Sequence, residues 1–164
     1  MSKEEIVYVA LNNIRSLYNV GSIFRTSDAL GVNKIILGGY TGAPPRKEIE
    51  KTALGAQDWV AYEKTSRLPK RIGELKKEGF QIVGLENNVK DAIPISIFFP
   101  SFPVLLVLGN ELRGISKAVR KELDEIVFIP MVGKKESLNV SVAFGIAAYH
   151  IKNNLKTQNS NVKI

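Results

Sequence analysis

Apolar residues fall along this chain in two rhythms, continuous short runs and three-and-four spacings, and the two alternate. Ile6 to Leu11 (I-V-Y-V-A-L) is unbroken and of strand length, as suits the middle of a sheet covered on both faces. Lys34 to Leu37, Phe80 to Leu85, Val104 to Leu108 and Ile126 to Ile129 read the same way. The second run is stopped by Gly38-Gly39 and the last by Pro130, which lacks the N–H that a central ladder needs. Between the runs, Ile23, Ser27 and Leu30 line one face of a helix closed by Gly31, with Arg25 on a different face. Leu68, Ile72 and Leu75 define a helix capped by Thr65 or Ser66 and ending at Gly79. Val140, Ala143, Phe144, Ala147, Ala148 and Ile151 define a third, with Asn139 as its N-cap. Asn12 to Asn19 is a polar connection, and Tyr40 to Arg46, with two prolines and a glycine, is an irregular loop. A short helix over 47–54 and a brief strand over 59–62 complete the reading.

Strands alternating with helices predict an α/β fold with a mostly parallel sheet, in which ligands bind beyond the carboxyl ends of strands. The ends after Leu85, Leu108 and Ile129 are expected to converge. From Ile129 to Gly145 the chain passes from a strand to a helix through a loop rich in polar groups. Ser137 and Asn139 flank that helix start, where free backbone N–H groups can hold polar ligand atoms. Residues 1–156 are read as a single domain and 157–164 as a frayed tail with little to bury.

Composition narrows the class. With 164 residues, 45% of them hydrophobic, the chain supports one well-buried core. The absence of cysteine excludes disulfides, thiolate metal sites and a cysteine nucleophile, and favours a reducing compartment. The start M-S-K-E-E-I has no apolar signal segment and no run reaches membrane-span length, so a cytoplasmic protein is expected. The net charge of +7 attracts polyanions, with nucleic acid the leading partner and a solvated basic surface the plainer alternative. The same two readings apply to Lys70, Arg71, Lys76 and Lys77 on the polar face of the second helix.

No G-x-G-x-x-G follows the first strand and no G-x-x-x-x-G-K-S/T occurs, which excludes the usual dinucleotide and P-loop signatures. The single histidine, His150, sits late in a helix and is read as structural. Glu111, directly after a buried strand, is a functional candidate or an acid capping the 116–123 segment. Arg25 is a phosphate-gripping fork or an ordinary surface arginine.

Taken together, N-V-G-S-I-F-R-T, L-G-N-E-L-R-G-I-S and I-P-M-x-x-x-x-E-S-L-N-V-S-V-A are three ordered motifs. At these residues the chain, over about 6 to 155, resembles the SpoU or TrmH branch of the SPOUT superfamily, the knotted S-adenosylmethionine-dependent RNA ribose 2′-O-methyltransferases. It departs at Leu112, where the family often has glycine, and the extra N-terminal RNA-binding domain of many members is not expected. The resemblance implies a C-terminal trefoil knot, which ordinary topology rules would not predict. It also implies S-adenosylmethionine held by Leu85, Glu86, Gly109, Ile129, Met131, Ser137 and Leu138, and catalytic positions at Asn19, Arg25, Glu111, Ser137 and Asn139. No metal is implied. The expected substrate is tRNA or rRNA, and the expected assembly is a homodimer with the C-terminal helix in its interface. The alternatives are an RNA-binding protein that keeps the fold without catalysis, and a base-methylating relative.

Overall fold

The computed structural model describes residues 6–160, with side chains up to Asn154. The expectations for the first residues and for the end of the tail, 1–5 and 161–164, lie outside the described residues. The elements are β1 (Val7–Asn12), α1 (Leu17–Leu30), β2 (Lys34–Gly38), α2 (Lys47–Ala53), β3 (Tyr62–Thr65), α3 (Leu68–Lys77), β4 (Gln81–Leu85), β5 (Ile93–Pro94), β6 (Val104–Leu108), α4 (Lys117–Arg120), β7 (Glu125–Phe128) and α5 (Val140–Ser160).

The seven strands form one parallel sheet in the order β3-β2-β1-β6-β4-β7-β5. The mostly parallel α/β architecture read from the alternation is therefore the one the chain adopts. Because side chains alternate across a strand, β1 sends Val7, Val9 and Leu11 to one face and Ala10 to the other. The first face is covered by α1 and α5, through Val20, Ile23, Phe24, Phe144, Ala147, Ala148 and Ile151. The second is covered by α3 and α4, through Leu68, Ile72, Leu75 and Val119. β6 is buried at every position, which is why its sequence carries no polar alternation.

Helix ends follow local chemistry. Gly31 closes α1 in the left-handed region at φ 66°, with its N–H on the carbonyls of Ser27 and Asp28. At the start of α5, Asn139 Oδ1 accepts from the N–H groups of Ser141 (2.9 Å) and Val142 (3.4 Å), as an N-cap should. The helix runs on to Ser160, into the segment expected to fray.

Some boundaries differ from expectation. α1 begins at Leu17, so Asn19 lies in its first turn and not in the connection before it; Ser16 is the cap, its side chain accepting from Asn19 N–H at 3.2 Å. The strand expected over 59–62 is displaced to Tyr62–Thr65, behind a single 3-10 turn at Ala56–Asp58. As an edge strand paired only with β2, β3 needs no apolar run and carries Glu63 and Lys64 instead. α3 starts at Leu68 with no side-chain cap on its N-cap residue Arg67, and Thr65 Oγ1 accepts from Arg67 N–H in the turn before it. On the basic face of α3, Arg71 pairs with Glu63, Glu74 and Glu78, and Lys76 with Asp124. Those two cations are engaged within the protein, and only Lys70 and Lys77 keep the character expected of an RNA-facing surface. Among the described residues no helix is long and apolar enough to cross a membrane. His150 Nε2 lies 3.0 Å from the Phe98 carbonyl, in agreement with its structural reading.

Candidate active site

Beyond the carboxyl end of β6 the chain turns back on itself. Asn110 and Gly114 exchange backbone hydrogen bonds, Asn110 N–H to Gly114 O at 3.0 Å and Gly114 N–H to Asn110 O at 2.9 Å. This return explains Gly109: a Cβ there would stand 2.4 Å from the backbone of Gly114 and Ile115. The turn presents Glu111 to the start of α1. Its Oε2 accepts from Arg15 N–H at 2.9 Å, and its Oε1 from Ser16 N–H at 3.1 Å and Asn19 Nδ2 at 3.2 Å. Asn19 Oδ1 in turn accepts from Asn139 Nδ2 at 3.0 Å. A polar chain Glu111–Asn19–Asn139 thus joins all three sequence motifs. Partial burial alone would raise the Glu111 pKa, but hydrogen bonds from the N–H of Arg15, of Glu111 itself and of Ser16, and from the Asn19 amide, lower it. Glu111 caps α1, therefore, and not the 116–123 segment, where Ser116 caps α4.

The segment after β7 is held by Asn87, whose Nδ2 donates to the carbonyls of Ile129 (3.2 Å) and Glu136 (3.4 Å). Beside it Glu86 pairs with Arg120 at 2.5 Å and accepts from Ile115 N–H at 3.2 Å. Its carboxylate is committed to the protein.

Between these loops lies a cavity of about 650 Å³. All seven residues expected around a cofactor line it: Leu85, Glu86, Gly109, Ile129, Met131, Ser137 and Leu138. Glu111 and Asn139 line it as well, and Asn19 is tied to both. Leu85, Leu108, Ile129, Met131, Leu138 and Val140 give it an apolar wall, while Asn88, Ser137 and Asn139 supply polar groups. Arg25 is not brought into this cavity. It is exposed on α1, in a separate groove of about 880 Å³ shared with Lys51, Gly145, Ile146 and Tyr149.

Several positioning residues escaped the sequence reading. Asn110, buried, donates from Nδ2 to Asn13 O and Tyr40 Oη, both at 2.8 Å, and accepts at Oδ1 from Leu112 and Arg113 N–H. Buried Asn12 accepts from Ser116 N–H at 2.8 Å, and buried Thr41 bridges Leu11 O and Ile14 N–H. Asn12 and Asn110, like Asn87, share one signal, an asparagine at or just past the end of an apolar run; Thr41 carries none.

The chain is similar to known proteins over most of its length. The model of the SpoU rRNA Methylase family matches residues 6–149. A Bacillus subtilis protein assigned to the TrmH family of tRNA/rRNA methyltransferases, YacO, is 28% identical over 148 residues, covering 90% of this chain and 59% of its own length. The chain therefore spans little more than half of that relative. The tRNA (guanosine(18)-2′-O)-methyltransferase of Aquifex aeolicus is 34% identical over 148 residues, covering 90% of this chain and 69% of its own. Among solved structures, the AdoMet-bound rRNA methyltransferase of Sinorhizobium meliloti superposes with a TM-score of 0.83 at 28% identity, covering 93% of this chain and 57% of that one. With a family model that matches residues 6–149, this chain belongs to the SpoU rRNA methylase family.

Proposed function

We propose that this chain transfers a methyl group from S-adenosylmethionine to a ribose 2′-hydroxyl of structured RNA, tRNA or rRNA, and does so as a homodimer. The observation that carries this reading is the Glu111–Asn19–Asn139 chain set along the rim of a half-apolar cavity. The cofactor fits the lining: an adenine needs apolar faces, as Leu85, Ile129 and Leu138 provide, and its polar edges need groups such as Ser137 and backbone amides. The name of the Aquifex relative supports the ribose oxygen as acceptor, and the AdoMet-bound neighbour supports the cofactor. The trefoil knot belongs to the same proposal. Asn87, which holds the 129–136 segment against the end of β4, supports a chain folded closely back at that place.

When bound, S-adenosylmethionine supplies a methyl group already activated on its sulfonium. The chain's residues then have to align the ribose oxygen and help its proton leave. Glu111, ionised and already accepting from α1, is a positioning residue: it fixes Asn19, which orients the Asn139 amide at the cavity. Arg25, whose guanidinium offers paired N–H donors, is assigned to grip the phosphate beside the reacting hydroxyl. Since Arg25 lies outside the cavity of its own chain, it would act across a subunit interface. α5 supports such an interface. Phe144, Ala147, Ala148 and Ile151 are fully buried, yet Val142, Ile146 and Tyr149 form a second apolar face in solvent, next to the Arg25 groove.

The test of function is to incubate the protein with labelled S-adenosylmethionine and total RNA and to analyse the nucleosides. A 2′-O-methylnucleoside is expected; a methylated base identifies a base-methylating enzyme, and cofactor binding with no transfer identifies an RNA-binding relative. Arg25→Lys keeps the charge but loses the paired fork, so single-turnover methyl transfer should fall roughly a hundredfold while cofactor affinity and melting temperature hold. Sedimentation of the same proteins should show dimer at micromolar concentration, and full activity in Arg25→Ala would refute the assigned role. Glu111 also gives a pH signature. Its pKa in the folded protein is lowered, so its stabilisation is complete above the ordinary carboxylate range and is lost as pH falls through the folded value. Glu111→Gln should melt lower at neutral pH, by an amount corresponding to about 1 kcal/mol, and its deficit against the parent should shrink in acid.

A further inference from the structure

Tyr40 is an exposed aromatic residue that the fold holds still. It is 60% exposed, yet its hydroxyl accepts from Asn110 Nδ2 at 2.8 Å and its backbone N–H donates to Asn13 Oδ1 at 3.1 Å. The carbonyls on either side of it, Gly39 and Thr41, both accept from Lys64 Nζ, the former at 2.7 Å. Gly39 permits this turn, with φ 62° and the Asn13 amide in the space a Cβ would fill. The ordering cost that an exposed tyrosine would meet on binding a ligand has thus been met in folding.

The amide that anchors Tyr40 also fixes the loop beside the cavity. Asn110 Oδ1 accepts from Leu112 N–H at 3.0 Å and from Arg113 N–H at 2.8 Å. Leu112 lines the cavity, and Arg113 is exposed, with no ion-pair partner among the described residues. One buried side chain that lines the cavity therefore holds both the Tyr40 ring, by its hydroxyl, and the backbone of Arg113, two residues beyond Glu111.

We propose that Tyr40 and Arg113 form a subsite for the unpaired nucleotide adjoining the target ribose, with the base stacked on the Tyr40 ring and the phosphate on the Arg113 fork. The subsite rests on the reading of the chain as an RNA ribose methyltransferase and extends it along the strand. A ribose hydroxyl reaches a cavity between loops most readily when the strand is splayed, which strips the neighbouring base of its own stacking partner. A pre-ordered aromatic side chain replaces that partner for any base, and an arginine neutralises the phosphate that comes with it.

The experiment measures binding of a fluorescently labelled RNA hairpin with an unpaired, mixed-sequence loop to the full chain, over a range of salt. Tyr40→Leu should weaken binding about tenfold with the salt slope unchanged, since stacking carries no counterion release. Tyr40→Phe keeps the ring and should restore most of the affinity. Arg113→Gln should lower the slope of log affinity against log salt by roughly 0.7 to 1. S-adenosylhomocysteine affinity should match the parent in all three, and Tyr40→Leu and Tyr40→Phe, which both lose the Asn110 hydrogen bond, should melt alike, which separates a subsite from a folding defect. Parental affinity in Tyr40→Leu, or equal losses in the Leu and Phe variants, would overturn the subsite alone. Failure of the parent protein to bind the hairpin would overturn the RNA reading and the subsite with it.

Discussion

A single carboxylate on the start of a helix ties this structure together. Glu111 leaves the carboxyl end of β6, at the middle of the sheet, and accepts from two backbone N–H groups and one amide at the start of α1. Free N–H groups at a helix start carry partial positive charge, so an ionised acid there satisfies donors and favours its own ionisation together. Asn19 relays the contact to Asn139, which caps α5. Three segments separated by 92 and 120 residues are thereby fixed without any of them being part of a common strand pair.

The sheet order makes this possible. β1, β6, β4 and β7 are neighbours, so the loops leaving their carboxyl ends face one another above the sheet. Apart from the Asn110–Gly114 pair those loops have no ladder to satisfy their backbone groups, and asparagines take over: Asn12 holds Ser116 after β6, Asn87 holds Ile129 after β7, and Asn110 holds Asn13 after β1. What remains between the loops is a cavity with an apolar wall and a polar rim, in the place where parallel α/β sheets bind ligands.

How much of this could be read beforehand depended on burial. β1, β4 and β6 were legible because both faces of the sheet are covered there, which forces unbroken apolar runs. β3, an edge strand, and β5, two residues long, have no such requirement and left no clear signal. The start of α1 was misplaced because Ser16 and a distant carboxylate terminate it, and only the first is local in sequence. The candidate site was legible as motifs, and all the cavity residues read from them lie together. Their division of labour was not: the commitment of Glu86 to Arg120, the need for glycine at 109 and the capping role of Glu111 are matters of three-dimensional contact. Arg25 is the residue for which sequence and the single chain part company, since the motif groups it with the others and the fold puts it on another surface.

In the proposed homodimer a second copy of the chain closes that separation. The measurement that tests this most directly is a crystal structure of the protein with S-adenosylhomocysteine. The ligand is expected between Leu85, Gly109 and the Ser137–Asn139 segment, with Arg25 from a second subunit, packed through α5, facing the thioether end. A ligand bound elsewhere, or an assembly in which Arg25 faces no cavity of either subunit, would contradict it.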